Sequence, residues 1–228
     1  MLDAPADELT VEQTRRIARD YDLVIMHTST PSFPTDARFA ELLKEDHPGV
    51  LIGLVGAKPM VDPDGSLKAT PAIDFVCREE FDYTCQDVAA GLPLADIRGL
   101  SYRDATGKVV HNLPRAIIED MDELPFVAPV YKRDLTIANY FIGYLKHPYV
   151  SLYTGRGCRS KCTFCLWPQT VGGHRYRVRS AENVIAEVSG SRRTCPKCAR
   201  SCSTTTRLRT PRTCRASRPS PRAWASWA

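Results

Sequence analysis

The chain has 228 residues, of which 43% are hydrophobic and 25% charged, so it resembles an ordinary globular protein with enough apolar side chains for a core. Its net charge of +5 is unevenly distributed. Ten Lys and Arg residues but no Asp or Glu lie in 191–228, which leaves a charge of about −5 on the first 190 residues. The excess of positive charge therefore lies in the C-terminal stretch, and it does not indicate what the first 190 residues bind.

The apolar pattern and the cysteine content indicate the cellular compartment of the protein. No apolar run reaches the roughly 18–20 residues of a membrane span, and no secretory signal opens the chain. We therefore expect a cytoplasmic protein without a transmembrane segment. In a reducing cytosol, nine cysteines favour metal or redox chemistry over disulfides.

The first 112 residues predict strands that alternate with helices. Residues 9–19 have apolar side chains at helical spacing, and DLVIM (22–26) is a continuous apolar run typical of a buried parallel strand. A second helix is expected with Thr35 as its N-cap. The remaining predicted elements are strands at 50–57 and 72–81, a helix at 83–91 and a β-hairpin at 100–112. This order predicts an α/β fold with an open parallel sheet of the Rossmann-like class.

Two loops follow strands of this predicted sheet, at His27–Pro31 and Val55–Pro59. In open α/β sheets, ligands bind beyond the carboxyl ends of the strands, so Thr28, Ser29 and Gly56 are candidates for contact with a cofactor. The same residues are also common in ordinary loops and helix caps. The sequence leaves both interpretations open.

A second region is expected after a proline-rich linker at 113–148. A strand opens the stretch 149–188, and a helix closes it with Ser180 as N-cap and Asn183 at N3. Between them, GGHRYRVR (172–179) contains three arginines. We expect these arginines on a solvated charged face, with the anchoring of a substrate as the alternative.

Three cysteines share one loop of this region. Cys158, Cys162 and Cys165 form the pattern C-x3-C-x2-C. Thiolates favour iron–sulfur clusters, zinc or copper(I), and a structural zinc site usually needs four ligands in two pairs. Three thiolates leave one position open for a small molecule, which suits a catalytic [4Fe–4S] cluster; a chance grouping or half a zinc site are the alternatives. Cys77 and Cys85 are instead predicted as small core residues.

The cysteine motif, with Phe164 directly before its last cysteine, resembles that of the radical S-adenosylmethionine enzymes. Because an α/β domain precedes it, the chain resembles the subgroup with an N-terminal cobalamin-binding domain. Over residues 2–188, segments such as GLVGAKPMVDPDGSLKATPAIDFV and YLKHPYVSLYTGRGCRSKCTFCLWPQ are similar to the hopanoid-biosynthesis-associated radical SAM proteins that make a cyclitol ether head group.

The resemblance implies cofactors, site residues and a reaction. Cys158, Cys162 and Cys165 are expected to ligate a [4Fe–4S] cluster, and S-adenosylmethionine is expected beside Phe164. Cobalamin is expected at the sheet edge described above. One-electron reduction by flavodoxin or ferredoxin would generate a 5′-deoxyadenosyl radical. This radical would abstract hydrogen from a glycosylated hopanoid lipid and lead to contraction of its sugar ring.

The resemblance also implies that the chain contains only some of the β-α units of such an enzyme. We expect residues 1–112 to form the cobalamin-binding-type domain without its first β-α unit, and 149–188 to form only the first unit of a partial TIM-type barrel. The barrel of such an enzyme needs about six β-α units. We therefore expect the chain as written to have no turnover, and a non-catalytic cobalamin- or metal-binding module is the alternative.

Residues 189–228 lose the apolar periodicity and are rich in Arg, Ser, Thr, Pro and Cys. One interpretation is a zinc-dependent nucleic-acid binder that uses Cys195, Cys198 and Cys202 together with the basic charge. Aromatic residues do not alternate with these cations, so we expect no nucleic-acid partner.

The other interpretation of this stretch is a frameshift near Ser189. When the codons of 195–206 are regrouped by one base, they permit MPEVREIMFDDD, which is a strand that ends in an acidic cluster. The codons of 216–228 likewise permit an amphipathic helix, and this order of elements is the one that a βα barrel demands. As written, the stretch cannot bury enough apolar surface to offset its ordering entropy, so a disordered tail is expected over 189–228.

Overall fold

The computed structural model describes residues 1–141, 143, 147–170, 173–194 and 200–203. The helices in this part of the chain are α1 (Val11–Ala18), α2 (Phe33–Asp46), α3 (Ala57–Val61), α4 (Pro63–Ala69), α5 (Asp82–Ala89), α6 (Ala128–Asp134), α7 (Trp167–Thr170) and α8 (Ala181–Thr194). The strands are β1 (Leu23–Thr28), β2 (Leu51–Gly56), β3 (Phe75–Cys77), β4 (Leu100–Arg103), β5 (Val109–His111), β6 (Tyr149–Leu152), β7 (Gly155–Arg156), β8 (Arg177–Val178) and β9 (Arg200–Ser203).

The first five strands form one sheet in the order β1-β2-β3-β4-β5. Strands β1, β2 and β3 are parallel, whereas β4 and β5 are antiparallel. Thr28 pairs with Gly56, so β1 and β2 end level with each other. The Rossmann-like α/β prediction is confirmed. The sheet is mixed rather than wholly parallel because the predicted hairpin joins its edge as β4 and β5.

Apolar side chains fill both faces of this sheet. On one face, buried residues of β2 such as Ile52 and Leu54 pack with buried residues of α2 and α4. On the other face, Phe75 and Leu100 pack with α5. Gly53 is required beneath the Phe75 ring, because a Cβ there would overlap the ring atoms. Each fully buried side chain of this kind contributes about 1.5–3 kcal/mol, so burial dominates the stability of this domain.

Helix α2 begins earlier than predicted. The expectation that Thr35 is its N-cap is wrong, because Ser32 occupies the N-cap position and Phe33 begins the helix. Pro34 lies in the first turn, where its missing N–H is not needed and its φ angle suits a helix. The sequence-based prediction overlooked this use of proline.

The predicted linker at 113–148 contains structure of its own. Within it lie α6 and two 3₁₀ turns, at Met121–Glu123 and Ile137–Asn139. Its buried apolar side chains are Ile118, Met121 and Ala128. Part of this stretch therefore packs against the rest of the chain.

Two small pairs of strands make up the second region. Strand β6 pairs with β9 in parallel, and β7 pairs with β8 antiparallel. Helix α8 continues past Val188 to Thr194, because a helix once formed gains a hydrogen bond with each added residue and no proline interrupts it. It therefore enters the predicted tail, as does β9, whereas 195–199 (with Cys195 and Cys198) and 204–228 lie outside the described residues.

The helix lengths in the described ranges can be compared with the expectation of no transmembrane segment. The longest helices, α2 and α8, have 14 residues each. None of the described helices combines the length and the apolar character that crossing a bilayer requires.

Candidate functional site

The cysteine loop, defined here as residues 157–176, joins β7 to β8. These two strands pair antiparallel, with Arg156 directly opposite Arg177, so the loop is closed at its base. Inside the base, the backbone N–H of Cys158 donates to the carbonyl of Gly173 at 3.1 Å. The sequence thus folds into a narrow two-stranded base with the cysteine motif beyond it.

The three thiols of the loop differ in exposure. Cys158 is 9% exposed, whereas Cys162 is exposed and Cys165 is partly buried. The backbone N–H of Cys165 donates to the carbonyl of Cys162 at 3.2 Å, which forms a turn between them. Phe164, at the tip of this turn, is 90% exposed.

The donor set can be tested against the cluster that the motif predicts. Three thiols within eight residues provide the soft ligands that an iron–sulfur cluster needs. In the described ranges, however, no three Cys, His, Asp or Glu side chains are close enough together to hold a metal ion. The chemistry of the loop therefore fits the cluster, and binding requires the three thiols to come closer together.

One buried and one partly buried ion pair fix the base of the cysteine loop. The Arg177 guanidinium donates to both carboxylate oxygens of Glu80, at 2.8 and 2.6 Å, and these two side chains are only 4% and 2% exposed. Arg156 likewise donates to both oxygens of Asp82, at 2.6 and 3.0 Å. Glu80 lies in the turn after β3 and Asp82 is the first residue of α5, so the loop is attached to the carboxyl edge of the first sheet.

Backbone groups complete the surroundings of Glu80. The N–H of Ile118 donates to Glu80 Oε2 at 2.8 Å, and Arg177 also donates to the carbonyl of Ile118. Burial alone would lower the pKa of Arg156, but its hydrogen bonds to Asp82 and the charges of Asp82 and Glu80 outweigh burial and raise that pKa. The Arg156 guanidinium is therefore fully charged.

A second buried carboxylate holds the helix after the loop. Glu187 on α8 accepts from the N–H of Val127 at 2.7 Å, at the start of α6, and pairs with Arg179 at 2.5 Å. The N–H of Asn183 donates to the Ser180 hydroxyl at 3.1 Å, which confirms the predicted N-cap. Helix α8 is thereby fixed to α6.

These contacts correct the prediction for the arginines of 172–179. Arg177 and Arg179 are buried and paired, so the expected solvated face is wrong for both. Only Arg175 fits that expectation, in an exposed pair with Glu119. The missed local signal was the acidic REEFD stretch after β3, whose carboxylates pair with arginines 74 and 97 residues later.

The predicted cobalamin-contact residues lie together where β1 and β2 end. The Thr28 hydroxyl is buried and donates to Asp36 at 2.6 Å, and the hydroxyls of Ser29 and Ser32 lie 2.9 Å apart. These hydroxyls therefore organise the start of α2, as the loop-and-cap interpretation expects. Gly56 has φ +111°, and a Cβ there would overlap the Thr28 carbonyl, so the backbone ends of the two strands can approach closely.

The cysteine loop lies at the same edge of the sheet. Helix α3, which begins directly after Gly56, is in contact with α7, which begins two residues after Cys165. The N–H of Glu79 donates to the sulfur of Met60 at 2.9 Å and so joins α3 to the turn that anchors the loop. The predicted cofactor edge and the predicted cluster loop are therefore neighbours.

Two other arrangements of reactive side chains are structural. Cys77 is buried in the core, with its sulfur 3.9 Å from that of the partly buried Cys85, so the prediction of a structural role is confirmed. The Ser101 hydroxyl lies 2.8 Å from His111, whose other ring nitrogen lies 2.9 Å from Asp64. Because Ser101 is fully buried, no substrate can reach its hydroxyl, and this array is not a nucleophilic site.

Comparison with known protein sequences gives two relatives. No family model matches the chain. It is 31% identical over 195 residues to "Uncharacterized methyltransferase PH0819" of Pyrococcus horikoshii, covering 83% of this chain and 41% of that protein. It is 28% identical over 153 residues to the anaerobic magnesium-protoporphyrin IX monomethyl ester cyclase of Synechocystis sp., covering 63% of this chain and 28% of the cyclase. The chain thus spans about two fifths or less of the length of either relative.

Solved structures share the fold. OxsB, a cobalamin-dependent S-adenosylmethionine radical enzyme solved with aqua-cobalamin and S-adenosylmethionine, matches 82% of this chain and 26% of its own, with a TM-score of 0.62 and 21% identity. TsrM of Kitasatospora setae, a radical S-adenosylmethionine methyltransferase solved with cobalamin and a [4Fe–4S] cluster, matches 78% of this chain and 38% of its own, with a TM-score of 0.52 and 14% identity. The described residues therefore have the fold of part of the cobalamin-binding radical S-adenosylmethionine enzymes.

Proposed function

We propose that this chain carries the sheet domain and the cluster loop of a cobalamin-dependent radical S-adenosylmethionine enzyme. One observation carries the proposal: a C-x3-C-x2-C loop is anchored at the carboxyl edge of a Rossmann-like sheet, in a fold shared with OxsB and TsrM. That edge is where open α/β sheets bind ligands.

The residues of the loop have separate roles in this proposal. Cys158, Cys162 and Cys165 hold a [4Fe–4S] cluster, which when bound supplies the electron that cleaves S-adenosylmethionine. Phe164 is exposed directly beside the motif and provides an apolar surface for the adenine. The burial of Cys158 keeps water from one side of the cluster, while Cys162 leaves the other side open to a small molecule.

In this proposal, the carboxyl edge of the sheet contacts the corrinoid ring of cobalamin. Thr28 and Ser29 fix the turn after β1 through Asp36 and Ser32, and Gly56 keeps the end of β2 free of a side chain. These residues support a corrinoid mainly through backbone and shape, because both hydroxyls are engaged within the turn. A flat macrocycle suits such a surface.

For the complete enzyme of which these residues form a part, we propose radical rearrangement of the sugar ring of a glycosylated hopanoid. The similarity of residues 2–188 to the hopanoid-biosynthesis-associated proteins supports this substrate class. Flavodoxin or ferredoxin is the proposed electron donor, in a reducing cytoplasm that keeps the loop cysteines as thiols.

Methyl transfer is the second candidate reaction. The 31% identical Pyrococcus relative is named a methyltransferase, and TsrM is one. The products separate the two candidates. Rearrangement yields 5′-deoxyadenosine from S-adenosylmethionine, whereas methyl transfer also yields S-adenosylhomocysteine.

The cluster is the first part of the proposal to test. The full chain would be reconstituted anaerobically with ferrous iron and sulfide, and iron, sulfide and zinc would be measured for each chain. We expect about four irons in the wild type and a clear loss in Cys162→Ala. Cys85→Ala, a substitution of a cysteine outside the loop, serves as the matched control and should retain the iron.

Two results would contradict the cluster assignment. One is equal iron content in the wild type and Cys162→Ala. The other is stoichiometric zinc that depends on Cys195 and Cys198, which would favour the zinc-binding alternative. If a cluster forms, addition of S-adenosylmethionine should change the electron paramagnetic resonance spectrum of its reduced form, because the cofactor binds the open iron.

A further inference from the structure

The base of the cysteine loop contains four charged side chains that no proposed cofactor contact uses. They are Glu80 from the turn after β3, Asp82 at the start of α5, and Arg156 and Arg177 from β7 and β8. Each carboxylate forms a two-pronged pair with one arginine. Such pairs fix both distance and orientation, unlike apolar contacts, which are non-directional.

The position of these pairs matters because they hold both ends of one loop. Arg156 precedes Cys158 by two residues, and Arg177 follows the last loop residue directly. Glu80 contacts both ends, since Arg156 also lies 3.7 Å from its carboxylate. Within the loop, Phe164 and Trp167 are exposed.

Burial distinguishes this arrangement from an ordinary surface pair. Arg175 and Glu119 form an ion pair two residues from Arg177, with side chains 65% and 58% exposed. Exposed pairs of this kind contribute little, whereas loss of one partner of a buried pair leaves an uncompensated charge. Glu80 and Arg177 are almost fully buried, so their pairing determines where the loop sits.

We propose that Glu80 and Asp82 are positioning residues that clamp the cysteine loop onto the carboxyl edge of the first sheet. By holding Arg156 and Arg177, they place Cys158 beside that edge and keep it buried before any cluster binds. Cys162 and Cys165 remain outside the clamp and can close onto the cluster. This inference rests on the proposed function only where it assigns a cluster to the thiols. The clamp itself is a property of the protein without a cluster.

Thiol alkylation in the full chain without a cluster tests the clamp. Alkylation rates of individual cysteines would be measured by peptide mass spectrometry in the wild type, Glu80→Gln and the matched control Glu119→Gln. In Glu80→Gln we expect the rate at Cys158 to rise about tenfold or more relative to Cys162, because loss of a buried counter-charge promotes local opening. In Glu119→Gln the rate should change by less than about twofold.

Cys77 reports in the same experiment whether the first sheet remains folded, since it is buried in β3. If it stays unlabelled while Cys158 becomes reactive, the loop has opened and the domain has not. If Glu80→Gln unfolds the domain, Asp82→Asn decides instead, because it removes only the less buried pair with Arg156. Unchanged reactivity of Cys158 in every folded variant would overturn the proposal, and so would equal effects of Glu80→Gln and Glu119→Gln.

A second measurement separates this proposal from the proposed function. After reconstitution, the iron retained during exposure to a chelator would be followed with time in the same variants. Faster loss in Glu80→Gln than in Glu119→Gln is the expected result, with partial rescue in Glu80→Asp, which keeps the charge. Equal rates of loss would contradict a positioning role toward the cluster. If the wild type binds no cluster, the proposed function fails, while the alkylation result for the clamp stands.

Discussion

The five-stranded sheet and the cysteine loop are stabilised by different interactions. Fully buried apolar side chains such as Ile52, Leu54 and Phe75 fill both faces of the sheet. The cysteine loop instead exposes Phe164 and Trp167, and one buried and one partly buried ion pair hold its base. Apolar burial is non-directional and stabilises the domain as a whole, whereas two-pronged ion pairs fix the orientation of one segment. The comparison indicates that stability and the placement of the reactive loop depend on separate sets of residues.

The largest effect should come from the apolar core. Phe75→Ala removes a ring that is 0% exposed and packed over Gly53, and we expect it to lower the free energy of unfolding by about 3–5 kcal/mol. Urea unfolding of the full chain would measure this change. Val61→Ala, at an exposed position on α3, is the control and should change it by less than about 0.5 kcal/mol. Similar values for the two variants would show that apolar burial does not dominate the sheet.

A smaller and more local effect is expected at the second buried carboxylate. Glu187→Gln leaves Arg179 without its counter-charge and weakens the contact with the start of α6, at a cost of about 3 kcal/mol. Amide hydrogen exchange should accelerate in α6 and α8 but not in β2. The exposed Glu182→Gln substitution in the same helix is the control. Faster exchange in β2 as well would mean that the two regions unfold together.

An ion pair also joins α1 to α2 within the first domain, and its contribution to stability should depend on pH. Asp46 accepts hydrogen bonds from Arg15, which lower the pKa of its carboxyl group. A carboxyl with a lowered folded pKa stabilises the protein above its unfolded pKa of about 3.9 and loses this contribution as pH falls through the folded value. The unfolding midpoint of the wild type should therefore exceed that of Asp46→Asn at neutral pH and approach it in acid. Asp20→Asn, with no ion pair in the described contacts, is the control, and a difference for Asp46→Asn that does not change with pH would refute the link.

The smallest effect on stability is expected at the loop tip. Phe164→Ala should change the free energy of unfolding by less than about 0.5 kcal/mol, because the ring is already in solvent. Under the proposed function, the same variant should bind S-adenosylmethionine more weakly after reconstitution with iron and sulfide. Phe141→Ala, also exposed but outside the loop, is the control for both measurements. Equal binding by the two variants would argue against a role of Phe164 beside the adenine.

Local patterns predicted most of the first domain. Continuous apolar runs marked β1 and β2, and the turn around Gly107 marked the hairpin, because these signals lie within a few residues of each other. The start of α2 at Phe33 was missed because the rule for side-chain caps outweighed the placement of proline in the first turn. Helices α3 and α4 were not predicted, since they are short and their residues also suit a loop.

Of the candidate site, the sequence predicted the cysteine motif but not the contacts that hold it. The spacing of Cys158, Cys162 and Cys165 is local and specific, so it could be read directly. The pairing of Glu80 with Arg177 joins residues 97 positions apart, and single-sequence patterns carry no information on such pairs. Thr28 and Gly56 were placed at the correct edge because the ends of parallel strands share one side of a sheet. The hydrogen bond of the Thr28 hydroxyl within the turn was not predicted, because residue spacing does not give the direction of a side chain.

The register of β7 and β8 has a consequence for the order of folding. It sets Arg156 directly opposite Arg177, and like charges in that position repel each other across a strand pair. The pair becomes favourable only when Glu80 and Asp82 are already in place to neutralise it. Synthesis of the chain from its N-terminus supplies those carboxylates first, on a sheet whose strands are complete by His111. We therefore expect the first domain to form before the cysteine loop closes on it.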